Sequence, residues 1–162
     1  MNIFVVDIDP RVSAKQLCDK HVVKMILESC QMLCSPFPSG LAPYKRSYYN
    51  HPCSVWVRKS KQNYEWLLNH CDELILQYKQ RYNNKSHKSE STLQFCKDNY
   101  YELNLPNIGL TKHAICMPVE IKKNNDDAVE SYRNYYKIVK SSFAKWKFGN
   151  VPEWYNNKEL IN

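Results

Sequence analysis

The side chains whose spacing most readily suggests chemistry are His21, Lys24 and Glu28. On a helix with about 100° per residue they lie at about 0°, 300° and 340°, so they share a stripe about 60° wide. An imidazole, an amine and a carboxylate in line could supply a base, a nucleophile and an electrophile. The alternative is a solvated helix face whose charged residues form salt bridges between neighbouring turns.

Two carboxylates precede this stripe. Asp7 and Asp9 lie two residues apart, on the same side of a strand if one forms. Such a pair could bind Mg²⁺ or provide a general base, although Asp9 also suits the cap of a helix. No carboxylate cluster, zinc-ligand spacing or phosphate-binding glycine loop occurs elsewhere. We therefore keep Asp9 as a candidate catalytic residue and predict no metal and no cofactor.

A second group of polar and aromatic residues lies in a proline-rich loop at residues 35–51 and in the helical pattern that follows. Arginine forks bind phosphates, aromatic faces stack on bases and asparagine can read a base edge. A helix N-terminus also favours anions. The alternative is that Trp56 belongs to the core and that the rest form an ordinary polar loop. The group comprises Tyr44, Arg46, Asn50, His51, Trp56, Arg58 and Asn63.

Capping residues and apolar periodicity predict the helices that would position these groups. Proline after Asp9 and after His51 suits the first position of a helix, and Asp127 with Glu130 resembles a capping box. Residues 2–8 are typical of a short strand or an extended arm. Apolar residues at three- and four-residue steps predict helices over about residues 10–34, 53–82, 89–101 and 127–149.

The composition bounds the fold and the partners. A chain of 162 residues with three glycines favours one helical domain over residues 1–162. We therefore expect an all-α fold of about four helices with a short N-terminal strand or arm. A net charge of +7 with twelve tyrosines and four tryptophans favours DNA or a nucleotide as the partner.

The cysteines and the hydropathy indicate the compartment. Seven scattered cysteines without a CxxC pair are typical of reduced core thiols. No signal peptide and no apolar run long enough for a bilayer are visible. We expect a cytoplasmic protein without a membrane partner.

The stripe also matches a family motif. The segment from Leu17 through Asp19 to His21, with Glu28 seven residues later, resembles L-x-D-x-H-x6-E of the phage endonuclease V family. These proteins are pyrimidine-dimer DNA glycosylases with AP-lyase activity. The tail from Pro152 to Tyr155 is similar to a Pro-x-Trp-Tyr segment near the C-terminus of that family.

The resemblance implies a compact helical protein that kinks duplex DNA and flips out a base. An amine would attack the sugar C1′, and a carboxylate matching Glu28 would stabilise the cationic sugar. The position of His21 would lie in the DNA-binding active site. The family's N-terminal threonine is replaced here by Asn2, which is too large for efficient Met removal, and its arginine before the glutamate is replaced by Leu27.

These departures leave the nucleophile open. It could be the amine of Met1 or of Lys24, or Asp9 or Glu28 could activate water instead. We expect a DNA N-glycosylase, with or without AP-lyase activity, that acts on a damaged or modified pyrimidine. His21, Arg46 and Arg58 would hold phosphate or the extruded nucleotide, and Tyr44, Trp56 and Trp154 would stack on bases.

Two other functions use the same groups. One is a binder of a nucleotide, a nucleotide-derived signal or DNA without turnover. The other is an enzyme that cleaves the glycosidic bond of a free nucleotide.

Overall fold

The computed structural model describes residues 1–123 and 127–156. This part of the chain forms seven α-helices and contains no β-strand. The predicted all-α class is confirmed, with more helices than the expected four. The α-helices are α1 (Pro10–Gln16), α2 (Asp19–Cys34), α3 (Pro52–Lys59), α4 (Lys61–Arg81), α5 (Glu90–Asn99), α6 (Ala128–Ile138) and α7 (Glu153–Asn156). Short 3₁₀ helices span Tyr100–Leu103, Val119–Ile121 and Lys140–Ser142.

Residues 2–8 form an irregular arm and not a strand, with bends at residues 6–8. Residues 3–6 of this arm are buried. The hydroxyl of Ser13 in α1 accepts a hydrogen bond from the Val6 N–H at 3.1 Å and donates one to the Phe4 carbonyl at 3.0 Å. Buried backbone groups need such partners, so a helix side chain takes the place of a neighbouring strand.

The helix predicted over residues 10–34 is interrupted at Leu17 and Cys18, whose backbones are extended. Partners from distant elements satisfy the backbone at this break. The buried Arg81 guanidinium donates to the Leu17 carbonyl at 2.8 Å, and the Cys18 N–H donates to the Tyr136 hydroxyl at 3.2 Å. Because both partners lie far away in sequence, the local pattern could not indicate the break.

The helix predicted over residues 53–82 is also two helices. Ser60 is extended between α3 and α4, and its hydroxyl caps α4 by accepting from the Asn63 N–H at 3.0 Å. α3 begins as predicted, with His51 Nδ1 accepting from the Cys53 N–H at 3.1 Å. This serine cap was overlooked because apolar residues continue at helical spacing across it.

The last long helix is shorter than predicted. Its capping residue is confirmed, because Asp127 accepts from the Glu130 N–H at 3.0 Å. α6 ends at Ile138, however, and a 3₁₀ turn and irregular chain follow it. The apolar residues beyond Ile138 therefore do not continue one helix face.

α4 lies at the centre of the packing and contacts α1, α2, α3 and α5. α2 packs against the core along one apolar face, whereas Val23 is exposed. The seven cysteines are free thiols, and six of them are buried. No helix among the described residues is both long and apolar enough to span a bilayer. The buried face of α2 is formed by Val22, Met25, Ile26 and Cys30.

Two histidines lie inside the aromatic part of this core. His70 stacks on Trp66 with 5.0 Å between ring centroids, and its Nδ1 lies 2.9 Å from the Pro10 carbonyl. His113 stacks on Trp56 at 4.4 Å. Burial lowers the pKa of each imidazole to about 4. Both histidines are therefore uncharged in the folded protein at neutral pH.

We predict that acid weakens the fold through these two imidazoles. Histidine in an unfolded chain has a pKa near 6.5, so the unfolded chain binds more protons between about pH 6.5 and pH 4. Above that range the two imidazoles make their full contribution to the free energy of unfolding. As the pH falls through the range, this free energy decreases by up to about 1 kcal/mol per pH unit for each imidazole. Urea denaturation at about pH 7.5 and about pH 5 measures the loss.

His113→Phe is the matched variant, and it should show a smaller loss of stability between the two pH values than the parent protein. Equal free energies of unfolding at both pH values for the parent protein would contradict this account.

Candidate active site

An open cavity of about 290 Å³ lies where the N-terminal arm crosses α2. It brings together three of the four predicted catalytic side chains and several residues from distant parts of the chain. The fourth, Asp9, is not part of it. The lining residues are Met1, Asn2, Phe4, His21, Lys24, Met25, Glu28, His51, Cys116, Tyr135 and Lys140.

The centre of the cavity is an ion pair between the chain terminus and α2. The Met1 ammonium lies 3.2 Å from Glu28 Oε1, and both residues are largely buried. No donor among the described residues is aligned with this oxygen for a hydrogen bond. The carboxylate can therefore stabilise a positive charge beside it and accept a proton from the amine.

Lys24 approaches the same carboxylate from the solvent side. Its Nζ lies 3.7 Å from Glu28 Oε2, and its side chain is 64% exposed. The helical stripe predicted from spacing therefore exists, but its three members differ in environment. Glu28 and His21 face the interior, whereas Lys24 lies at the mouth of the cavity.

His21 is a buried, uncharged imidazole. It stacks on Phe4 with 4.1 Å between ring centroids, and burial followed by the charges of nearby lysines lowers its pKa to about 3. Its Nδ1 lies 2.6 Å from the Tyr136 hydroxyl, which already accepts from the Cys18 N–H. The same hydroxyl also lies 3.6 Å from Cys18 Sγ, a weaker acceptor, so we expect its proton to point to Nδ1 and the histidine proton to lie on Nε2.

Lys24 and Lys140 line the cavity, and the charge of Lys20 also acts on His21. Lys140, which follows α6, lies with its Nζ 4.8 Å from the centroid of the Tyr135 ring. Lys20 lies 4.7 Å from the centroid of the Phe143 ring. No local pattern in the sequence indicates Lys140 as a site residue, because only the docking of α6 against the arm brings it to α2. This rim of cations suits a polyanion such as a phosphate backbone.

Asn2 fixes the position of the terminal amine. Its Nδ2 donates to the Cys116 carbonyl at 2.9 Å, and its Oδ1 accepts from the Tyr132 hydroxyl at 2.6 Å. The thiol of Cys53 lies 3.7 Å from the same Oδ1. In the sequence Asn2 was only a departure from the family pattern, whereas in the structure it connects the arm to three distant elements.

Asp9 caps α1 outside the cavity. Its carboxylate accepts from the N–H groups of Arg11 at 2.8 Å and Val12 at 3.1 Å. Asp7 Oδ1 accepts from the Asp9 N–H at 2.9 Å, and Asp7 Oδ2 lies 3.8 Å from Arg133 Nη2. The two carboxylates therefore have structural partners and do not face a common site.

The members of the second predicted group do not converge on the cavity, apart from His51, which lines it. Trp56 is 4% exposed and packs against Trp66, so the core alternative describes it. Asn63 is fully buried, and its Nδ2 donates to the Trp56 carbonyl at 2.8 Å and to Thr111 Oγ1 at 2.7 Å. Both residues hold the loop that precedes Cys116 against α3 and α4.

The two arginines of the group organise the central loop. Arg46 donates to the carbonyls of Ser35 at 2.9 Å and Phe37 at 2.8 Å, and Arg58 donates to the Tyr49 carbonyl at 2.6 Å. Both guanidinium groups also lie over the Tyr49 ring. They give the loop a positive surface, but one that lies outside the cavity lining.

The remaining predicted binding residues lie apart. Asn50 is exposed in the loop, and the Tyr44 hydroxyl lies 2.7 Å from Ser89 Oγ. Trp154 Nε1 donates to Gln16 Oε1 at 3.0 Å. Tyr44 and Trp154 thus have partners inside the protein.

Comparison with known proteins gives one match. A family model described as pyrimidine dimer DNA glycosylase matches residues 1–90. That range contains the arm, α1 to α4, and the Met1, His21, Lys24 and Glu28 part of the cavity. No curated protein and no solved structure matches the chain.

We predict that His21 stays uncharged, with its proton on Nε2, throughout the range in which the protein is folded. Long-range ¹H–¹⁵N correlation spectra of the histidines should show this single tautomer, unchanged between about pH 8 and about pH 5. The Tyr136→Phe variant removes the hydroxyl at Nδ1 and should populate both tautomers. A His21 signal that titrates near pH 6.5 would contradict the assignment.

Proposed function

The chain belongs to the pyrimidine dimer DNA glycosylase family, and from this premise we propose that it excises damaged pyrimidines from duplex DNA through an imine. The observation that carries the proposal is the contact of 3.2 Å between the Met1 ammonium and Glu28 Oε1 inside the cavity. An amine beside a buried carboxylate is the arrangement that covalent attack on a sugar carbon requires.

The proposed reaction begins when the Met1 ammonium loses a proton to solvent, so that Glu28 keeps its negative charge. The neutral amine attacks C1′ of the damaged nucleotide, the C1′–N bond breaks, and the base leaves with the bonding electrons. Glu28 faces the positive charge that develops on the sugar. Glu28 then takes a proton from the attached nitrogen and gives it to O4′ as the C1′–O4′ bond breaks, which leaves a protonated imine at C1′. Loss of a C2′ proton from this imine expels the 3′ phosphate, which is the AP-lyase step.

Met1 suits the role of nucleophile better than Lys24. Its amine is buried against Glu28 Oε1, whereas the Lys24 side chain is exposed and its Nζ lies 3.7 Å from the other oxygen. Lys24 is then free to neutralise a phosphate.

The other cavity residues suit binding of the extruded nucleotide. Lys24 and Lys140 at the mouth would contact the phosphates that flank it. His21 would donate a hydrogen bond from Nε2, because an uncharged imidazole with its proton there is a donor but not a cation. Arg46 and Arg58 lie on the central loop and would contact DNA further along the backbone. Asp9 has no part in the proposed reaction.

The reaction can be tested with duplex DNA that carries a cyclobutane pyrimidine dimer, in the presence of borohydride. We expect a covalent protein–DNA adduct. Glu28→Gln keeps the size of the side chain but removes its charge and should slow trapping by about 100-fold or more. Lys24→Ala is the matched control from the same helix face and should still form the adduct, with weaker DNA binding.

One glycine added before Met1 gives a second test, since it moves the amine away from Glu28 and should abolish trapping. Absence of an adduct, of glycosidic-bond cleavage at the dimer and of strand cleavage in the parent protein would overturn the enzymatic proposal. DNA binding without turnover would then favour the non-catalytic alternative, and base release from a free nucleotide alone would favour the third function.

A further inference from the structure

Two thiols lie directly behind the terminal amine. Cys53, in the first turn of α3, and Cys116, in the irregular segment before Pro118, have their Sγ atoms 3.5 Å apart. Two other thiol pairs lie in the core, at 3.8 and 3.9 Å. Both members of each of those pairs are buried, whereas Cys116 is only half-buried and lines the cavity. A small reagent that enters the cavity can therefore reach this pair.

The two sulfurs differ in chemical character. The hydrogen bond from Cys53, with the charges of Lys122 and the N-terminal ammonium, lowers the pKa of Cys116 to about 7. The same interaction, with burial, raises the pKa of Cys53. Cys116 is therefore the member of the pair that forms the thiolate more readily, and the thiolate is the form that attacks disulfides.

Both cysteines also hold the residue that follows the amine. The Cys53 thiol has two possible acceptors, Cys116 Sγ at 3.5 Å and Asn2 Oδ1 at 3.7 Å. The Cys116 carbonyl accepts from Asn2 Nδ2 at 2.9 Å. A change in the bonding of either sulfur therefore acts on Asn2, and through it on the Met1 amine.

We propose that Cys53 and Cys116 form a modification site at which a small-molecule disulfide of the glutathione type oxidises the protein and displaces the Met1 amine. The effect on imine formation rests on the proposed function, but formation of the protein disulfide does not.

The exchange proceeds in two balanced steps. The Cys116 thiolate attacks one sulfur of the small disulfide, forms a mixed disulfide and releases one thiolate. Cys53 then loses its proton to solvent and attacks Cys116 Sγ, which forms the Cys53–Cys116 bond and releases the second thiolate. Overall, two protein thiols are oxidised and one small-molecule disulfide is reduced to two thiols.

Closure of the disulfide should disturb the amine. Bonded sulfurs lie about 2 Å apart, so the Cys116 segment must approach α3, and Asn2 loses the Cys53 proton. A displacement of about 1 Å at reacting groups can slow a reaction by about 100-fold. The amine that is now buried against Glu28 should become more accessible.

A cation is a weaker candidate for the same place. His51 with the two cysteines provides three ligand atoms within 4.8 Å of one another. His51 Nδ1, however, already accepts from the Cys53 N–H. The experiment therefore includes a chelator, so that the sulfurs are free of metal.

The test is incubation of the native protein with oxidised glutathione, followed by peptide mapping and two rate measurements. We expect a Cys53–Cys116 cross-link, at least tenfold slower borohydride trapping and at least threefold faster acylation of the Met1 amine. Dithiothreitol should reverse all three. In Cys116→Ser, the trapping rate and the acylation rate should each be nearly the same with and without oxidant. Cys96→Ala removes a cysteine from another thiol pair and should show the same changes in both rates as the parent protein.

Absence of the Cys53–Cys116 cross-link in the folded protein would overturn the inference. So would a cross-link that leaves the acylation rate of the amine unchanged. If the reduced protein traps no DNA, the proposed function fails separately, because the cross-link and the acylation rate are read without DNA.

Discussion

The ion pair between the Met1 ammonium and Glu28 is the interaction on which the site depends. A chain terminus is ordinarily mobile, so it can serve as a chemical group only if the fold fixes it. Here the arm is fixed by burial of residues 3–6, by the two hydrogen bonds of Ser13 and by the side chain of Asn2. The core thus positions the amine beside the Glu28 carboxylate on α2.

The ionic groups that line the cavity act on His21 as well as on the Met1–Glu28 pair. Glu28 is the carboxylate of a cavity whose other ionic groups are the terminal ammonium and the amines of Lys24 and Lys140. In such surroundings a second buried cation would be unfavourable, and the low pKa of His21 means that the imidazole stays uncharged. Lys24 and Lys140 place positive charge on the lining of the cavity, and in the proposed reaction the buried carboxylate would face the positive charge at the reacting carbon.

Sequence patterns predicted the local features of the site but not its assembly. The helical stripe of His21, Lys24 and Glu28 follows from spacing alone, and α2 carries it. The breaks at Cys18 and Ser60 were not predicted, because long-range partners and a single cap outweigh continuous apolar periodicity. No local pattern specifies the tertiary contacts of the site. These contacts dock the arm on α2, bring Lys140 to the cavity and hold the side chain of Asn2. Conversely, the capping role of Asp9 and the core position of Trp56 were both foreseen as alternatives.

Locating the covalent bond in the borohydride-trapped complex tests the central claim most directly. After proteolysis of the adduct, tandem mass spectrometry can assign the sugar to one nitrogen atom. This account predicts attachment to the α-nitrogen of Met1, which lies 3.2 Å from Glu28. Attachment to Lys24 Nζ would contradict it, since the nucleophile would then be an exposed side chain and not the amine that the fold buries.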